Sequence, residues 1–508
     1  MNISYNWLKE YLDFDLTPVE VADALTSIGL ETGGVEEVQT IKGGLEGLVI
    51  GEVLTCEDHP NSDHLHITTV NVGGEAPLQI VCGAPNVAAG QKVVVAVNGT
   101  KLYDGDTCVT IKRSKIRGVE SNGMICAEDE IGIGTDHSGI IVLPPDAVVG
   151  TLAKDYYNVK SDYVLEVDIT PNRVDATSHY GVARDLYAYL KRHGKAVTLR
   201  LPSVEAFRID DDTPAIGVVV ENTEACLRYS AVTIKGVTVK ESPEWLQNRL
   251  RVIGLRPINN VVDVTNFILH ELGQPLHSFD AGKVKGGKVI VKTVPAGTKF
   301  VTLDGVERVL TDRDLMICNT EEPMCIGGVF GGLDSGVTEQ TTDVFLESAC
   351  FHPTWIRKTA RRFGLNTDAS FRFERGLDPN NTIYVLKRAA LLIQELAGGK
   401  ITGAIEDVYP KVYEPYTVAV TYEKINSLIG KVIPAETVKS IVESLEMKIV
   451  SETAEGLTLR VPVYRIDVRR DVDVIEDILR IYGYNNVEFS DHVKSSLSYE
   501  TPTDHSWK

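Results

Sequence analysis

The chain has 508 residues, 43% hydrophobic and 24% charged, with 71 acidic against 51 basic side chains and a formal net charge of −20. That length calls for about three to five domains with real apolar cores, and the composition excludes wholesale disorder. No apolar run approaches the roughly 20 residues that span a bilayer, and so acidic a chain leaves nucleic-acid binding only to local basic patches, because phosphate contacts need Lys and Arg.

The opening residues, Met1-Asn2-Ile3-Ser4-Tyr5-Asn6-Trp7, lack the basic patch and apolar core of a secretory signal. Thr17-Pro18-Val19-Glu20 then offers a hydroxyl cap, a proline at the first helical position and a carboxylate that reaches back, ahead of Val21, Ala22, Leu25 and Ile28 on one face. A similar start recurs at Pro434-Ala435-Glu436, before Val438, Ile441, Val442 and Leu445. Each is preceded by a Tyr-containing amphipathic stretch, at 5–12 and 422–429, so two helix-turn-helix-like modules are expected to bracket the chain.

Between them, short β-rich runs at 48–54, 66–72, 79–81, 93–97, 107–111 and 140–143 are punctuated by Asn-Gly, Gly-Gly and Asp-Gly turns. Such runs predict a small β-barrel over 40–151. A helix is expected at 181–192, within a stretch (152–198) that continues the N-terminal module of 1–39. Strands and helices mix over 200–400, with apolar strands at 216–220 and 289–294 and a basic helix at 355–363, where Arg357 and Arg361, and Lys358 and Arg362, stand four apart. A last segment, 410–488, ends in the acidic run 467–477, and the polar residues 489–508 read as the start of a further module. The fold class is multidomain α+β. The eight cysteines form no Cys-x-x-Cys pair, so they read as free thiols, mostly in cores.

Three stretches carry chemistry. Lys112-Arg113-Ser114-Lys115-Ile116-Arg117-Gly118 concentrates cations, and strand alternation would put Lys115 and Arg117 on one face and Lys112 on the other. Charge alone favours a solvated strand edge; the functional alternative is a phosphate-facing strand of an oligonucleotide-binding barrel. Its neighbours His59-Pro60-Asn61-Ser62-Asp63-His64-Leu65, Val81-Cys82-Gly83-Ala84-Pro85-Asn86 and Ser121-Asn122-Gly123-Met124 resemble the tRNA-binding barrel appended to several aminoacyl-tRNA synthetases. In the middle of the chain, Arg256 to Asn266, Gly273 to Asp280, Gly331-Gly332, Leu346-Glu347-Ser348-Ala349 and Asn366 to Gly376 set polar groups among apolar and glycine-rich neighbours. Asp263, Asp280 and Asp368 read as turn-satisfying groups; for His277 and Glu347 the residues leave structural and functional roles open. Near the end, Asp467, Asp473, Glu476 and Asp477 place Asp473 and Asp477 on one helical face with Glu476 beside them. Clustered carboxylates need a cation or a basic partner, and hard oxygens suit Mg²⁺; a solvated acidic face is the plainer alternative.

Together these stretches resemble the β subunit of bacterial phenylalanyl-tRNA synthetases over essentially the whole chain. The resemblance implies an OB-type tRNA-binding barrel using Lys112, Arg113, Lys115 and Arg117, winged-helix-like modules, and a central editing module of two intertwined α/β subdomains. That module would hydrolyse tyrosine wrongly esterified to the phenylalanine tRNA. Glu347 would accept the tyrosine hydroxyl, and His277 would help there or position water. Arg256 would steer the tRNA 3′ end, Thr265, Asn266 and Thr367 would orient groups, and Gly331 and Ala369 would leave room for the ring. No Ser–His–Asp or Cys–His arrangement is evident, so direct water attack with tRNA assistance is expected.

The resemblance further implies a Mg²⁺ site at Asp467, Asp473, Glu476 and Asp477 shared with an α subunit, although position 477 carries Asp where the family often carries Glu. It implies an (αβ)₂ assembly with tRNA(Phe), and a synthetic site on the α subunit using ATP and phenylalanine, in the cytoplasm. Consistently, the chain has no Gly-x-x-x-x-Gly-Lys-Ser/Thr loop. It also implies that a catalytic-like and an anticodon-binding module follow residue 508. Two rivals are a non-catalytic tRNA-binding scaffold with a decayed pocket, and a metal-dependent nuclease on 467–477, which would lack a general base.

Overall fold

The computed structural model describes residues 1–488 except 40, 105, 106, 135, 158 and 160; the expectation for 489–508 lies outside the described residues. The N-terminal module runs strand Asn2–Ser4, helices Tyr5–Tyr11 and Pro18–Ser27, and strand Thr32–Gln39, then resumes after a long insertion with strand Ser161–Val167 and helix His179–Arg192. Ser161–Val167 pairs antiparallel with both other strands and lies between them. The helix start at Thr17 is the expected one: Glu20 returns its carboxylate to the Thr17 N–H at 2.7 Å, Pro18 opens the helix, and Val21, Ala22 and Leu25 are buried.

The C-terminal module repeats this plan. Strand Tyr416–Thr421, helices Tyr422–Ile429 and Ala435–Ser444, strands Lys448–Glu452 and Gly456–Val461, and helix Asp471–Tyr482 follow in order, and the last strand again takes the middle of the sheet. Both Tyr-containing stretches are thus helices following a strand in equivalent positions. The repeat also reaches the approach to the final helix. Arg173-x-Asp175 with Asp185, and Arg465-x-Asp467 with Asp477, share the same spacing. In each copy the arginine grips the first aspartate with two nitrogens, at 3.0 and 3.1 Å for Arg173 and 3.1 and 3.0 Å for Arg465, and reaches the second at 2.7 or 2.8 Å. The copies meet where Arg480 Nη1 reaches Asp185 at 2.9 Å, closing one buried ion-pair knot between the two ends of the chain.

The insertion is a curled antiparallel sheet in the order Met124–Ile125, Lys92–Ala96, Leu48–Asp58, His66–Asn71, Leu78–Cys82, with Val142–Leu143 also on Lys92–Ala96. Its far ends are fastened to each other: the Asn122 N–H donates to the Gln79 carbonyl at 2.8 Å, and the Val81 N–H to Ser121 Oγ at 3.1 Å.

At the centre, strands Leu276–Asp280, Asp343–Phe351, Cys226–Lys235 and Lys400–Val408 form an antiparallel sheet in that order. The two-residue period sorts its side chains. Val232, Ile234, Val344 and Leu346 join the core shared with helices Val262–Leu272 and Thr382–Ala397. Tyr229, Ala231, Phe279, Phe345 and Ala349 join a separate core on the other face, shared with a second sheet that runs Gly217–Val220, Lys288–Thr293, Leu315–Cys318, Pro323–Ile326, Phe330–Gly331. The basic helix spans Pro353–Phe363, buries Ile356, Thr359 and Ala360 against this second core and exposes Arg357, Lys358 and Arg361. All eight cysteines are free thiols, six of them buried. Among the described residues no helix is long and apolar enough to cross a membrane.

Candidate functional site

His277 and Glu347 are direct partners in the register of strands Leu276–Asp280 and Asp343–Phe351, so both face the second sheet. Glu347 is 6% exposed, and its Oε2 accepts the Tyr229 hydroxyl at 2.5 Å from the next strand. Burial pushes the Glu347 carboxyl up to about 7, and the bond from Tyr229 opposes that rise. Burial also pushes His277 down to about 4, so its ring is neutral near pH 7. The His277 ring packs edge-on to Phe279 at 4.4 Å, and its Nε2 is buried without a hydrogen-bond partner among the described residues. A neutral imidazole with an unused nitrogen, beside a carboxyl poised between its two forms, can accept or relay a proton.

Gly331 closes the other side. A Cβ there would lie 3.3 Å from His277 Cε1 and 2.8 Å from Leu303 Cδ1, so any larger residue would displace Leu303 and press on the His277 ring. Thr367 is the N-cap of helix Asp368–Phe373, accepting the Ser370 N–H at 3.0 Å, and donates its hydroxyl to the Val329 carbonyl at 3.1 Å. That contact ties the helix, with Ala369 on the same core, to the turn leading into Gly331. The structure therefore gathers His277, Glu347 and Gly331, with Thr367 and Ala369 attached through one turn.

Arg256, Thr265 and Asn266 belong to the helix layer on the opposite face. Arg256 is exposed, in a loop held by Asp263, which accepts from the Ile258 N–H at 2.8 Å and Ser242 Oγ at 2.6 Å. Thr265 is buried and returns its hydroxyl to the Val262 carbonyl at 2.7 Å. No hydrogen bond or ion pair among the described residues joins these three to His277 or Glu347. Asp263 and Asp280 do satisfy turns, the latter accepting the Gly282 N–H at 2.9 Å. Two cavities lie elsewhere, one of about 270 Å³ where both terminal modules meet the central one, beside Arg184 and Tyr464, and one of about 850 Å³ beside Trp245.

In the inserted sheet, the motif residues are loop fasteners. His59 is buried, accepts the Asn61 N–H at 3.1 Å and lies 3.3 Å from the Ile116 carbonyl. Asn86 grips Ile140 by both its N–H and its carbonyl, each at 2.9 Å. Ser121 bridges Val81 and Gly123, both at 3.1 Å. Lys112, Arg113, Lys115 and Arg117 are all exposed, but not by the expected alternation. Strand Ser114–Ile116 carries only Lys115. Arg117 and Gly118 form a two-residue turn with φ of +47° and +94°, and Arg117 Nη1 donates to the Asn61 carbonyl at 3.0 Å. Arg113 pairs with Glu120 at 2.5 Å, leaving Lys112 and Lys115 without an ion pair among the described residues.

Comparison with known proteins bears on all three regions. Family models match residues 48–152 (putative tRNA binding domain), 225–398 (B3/4 domain) and 418–484 (tRNA synthetase B5 domain). Across 508 residues the chain is 76% identical to the phenylalanine–tRNA ligase beta subunit of Bacteroides fragilis, covering 100% of this chain and 62% of that one. The chain belongs to the family of phenylalanine–tRNA ligase beta subunits. Identity is 63% over 509 residues with the beta subunit of Porphyromonas gingivalis (100% of this chain, 62% of the relative). It is 43% over 505 residues with that of Geobacter metallireducens (99% and 61%). The chain thus spans about three-fifths of the length of these ligase subunits.

The Mg²⁺ site that the ligase family implies does not fit the residues present. Asp467 is gripped by Arg465. Asp477 is 3% exposed between Arg480 at 2.6 Å and Arg465 at 2.8 Å. Asp473 folds back on the first turn of its own helix, accepting from the Arg470 and Arg469 N–H groups at 2.8 and 3.1 Å and pairing with Arg470 at 2.9 Å. Glu476 is exposed. Among the described residues no three His, Cys, Asp or Glu side chains gather as a metal-ligand group. Asp473 serves as a cap while Asp477 faces inward, and in this chain by itself arginine guanidiniums, not a metal ion, neutralise the acids. The same finding removes the cluster that a nuclease would need.

Proposed function

We propose that this chain forms the tRNA-binding and editing portion of a phenylalanine–tRNA ligase, releasing tyrosine wrongly attached to tRNA(Phe). The observation that carries this reading is the paired placement of a neutral His277 and a buried Glu347, with Gly331 packed against the His277 ring. Tyrosine exceeds phenylalanine by one hydroxyl. A buried acceptor that is satisfied by that hydroxyl and stranded without it can discriminate by roughly 10⁴-fold or more. In this reading Glu347 accepts the phenol and His277 orients water toward the ester carbonyl. The water oxygen bonds to that carbon, the ribose oxygen of the tRNA leaves and takes up a proton, and free tyrosine and intact tRNA result. Thr367 and Ala369 hold one wall; Arg256, Thr265 and Asn266, on the opposite face of the sheet, take no part in it.

The inserted sheet is read as an OB-type barrel that meets the tRNA backbone through Lys112, Arg113, Lys115 and Arg117, and the terminal modules as winged-helix-like. The domain division proposed is 1–39 with 152–198, 40–151, 200–400 and 410–488. An α subunit, in an (αβ)₂ assembly in the cytoplasm, would carry synthesis with ATP and Mg²⁺. The assembled complex, given tyrosyl-tRNA(Phe), is expected to release tyrosine well above the buffer rate, and His277→Ala to slow that release. Release no faster than the buffer blank would leave a non-catalytic tRNA-binding scaffold as the reading.

A further inference from the structure

We infer that Tyr229 is a positioning residue for this site: its phenol fixes one oxygen of Glu347 so that the other is presented to the hydroxyl of the bound amino acid. The inference rests on the editing reading and deepens it. Tyr229 is fully buried on strand Cys226–Lys235, which pairs with Asp343–Phe351 so that Ala231 faces Glu347 and Tyr229 faces Ala349. The phenol therefore approaches the carboxyl diagonally across the sheet, past two alanines too small to compete for it. Its 2.5 Å bond goes to Oε2 alone, and among the described residues no other hydrogen bond reaches the Glu347 side chain. A carboxylate with one oxygen held by a fixed donor cannot rotate freely, and its remaining oxygen stays an acceptor of defined direction.

The surroundings keep that bond one-directional. Burial raises the Tyr229 phenol well above its ordinary range, and Glu347 raises it further, so Tyr229 remains the donor. The other titratable groups facing Glu347 are Cys226 on the same strand as Tyr229, Cys325 on strand Pro323–Ile326, and His277 opposite. Burial raises both thiols and lowers the histidine, so all three are neutral near pH 7. Among the described residues no cation shares the task of holding Glu347 ionised. Among the described residues Tyr229 is the one group that opposes its burial, and its bond selects the form that can accept a phenol.

The test uses the full-length subunit assembled with its partner. The kcat/KM for deacylation of tyrosyl- and phenylalanyl-tRNA(Phe) is measured from about pH 6 to about pH 9. In the wild type the preference for tyrosine should rise with pH through a midpoint near 7, where Glu347 ionises. Tyr229→Phe should lower that preference by about tenfold and move the midpoint upward. Replacing Tyr229 by 3,5-difluorotyrosine, a stronger donor of the same shape, should move the midpoint downward; this opposite shift is not produced by a packing defect. Phenylalanine charging by the same complexes reports assembly. An unchanged preference and midpoint in Tyr229→Phe, or the same midpoint with difluorotyrosine as with tyrosine, overturns the inference. Absence of tyrosine-selective deacylation in the wild type instead overturns the editing reading itself.

Discussion

Arg480→Met is expected to destabilise the contact between the two terminal modules by about 3–5 kcal/mol, the cost of breaking a buried ion pair by removing one partner. Arg480 reaches Asp477 at 2.6 Å, Asp185 at 2.9 and 3.3 Å, and the Ile28 carbonyl at 3.4 Å, so one guanidinium touches both copies of the repeat. Arg173, Arg465 and Arg480 face Asp175, Asp185, Asp467 and Asp477 in this knot. Losing Arg480 removes the cation that Asp185 and Asp477 share. Burial alone would push the Asp175 and Asp185 carboxyls up, but their arginines pull harder and hold both below the usual range. The contribution of Asp175 and Asp185 is therefore complete above about pH 4 and is lost as the pH falls through their depressed values. Hydrogen exchange in helices His179–Arg192 and Asp471–Tyr482 checks this: both should lose protection in Arg480→Met, and adding Asp185→Leu should restore much of it. Protection within about 1 kcal/mol of wild type in the single variant would show that the knot is dispensable.

The second large effect is expected at Glu347. Glu347→Ala removes the only charged acceptor described at the site and leaves the Tyr229 phenol buried without its partner. Deacylation of tyrosyl-tRNA(Phe) should fall by about 10²-fold or more, since a bond to a charged group and the unpaired phenol both weigh against the variant. Hydrolysis of phenylalanyl-tRNA(Phe), which offers no hydroxyl, should change far less. Equal losses for both substrates would mean that Glu347 acts on the common ester chemistry or on folding, not on the side chain. Charging activity and the unfolding midpoint of the variant separate those two cases.

Local chemistry in the sequence reached as far as local structure does. The Thr17–Glu20 capping box, the basic helix and the turn-bound Asp263 need only near neighbours, and all three are found. The topological repeat is legible in its helix starts, while its most diagnostic part, the Arg-x-Asp and later Asp at equal spacing, carries no local mark because each side chain reads singly as a solvated charge. For the same reason, helical spacing cannot tell an outward carboxylate from one that caps a helix, as Asp473 does, or meets a distant arginine, as Asp477 does. Arg117 left its expected face because Gly118 makes a tight turn there. The pairing of His277 with Glu347, and the diagonal reach of Tyr229, depend on strand register between segments far apart in the chain. A lone tyrosine in the buried run Cys226–Lys235 carries no local mark of that role.

The central claim is that the face carrying His277 and Glu347 reads the tyrosine hydroxyl. It is tested most directly by the structure of the assembled complex with a non-hydrolysable tyrosyl-adenosine analogue. The account predicts the phenol oxygen within hydrogen-bonding distance of the Glu347 oxygen that Tyr229 leaves free, with the ring beside Gly331 and the ester position near His277. An analogue bound with its phenol away from Glu347, for instance in the cavity beside Arg184 and Tyr464, would contradict it.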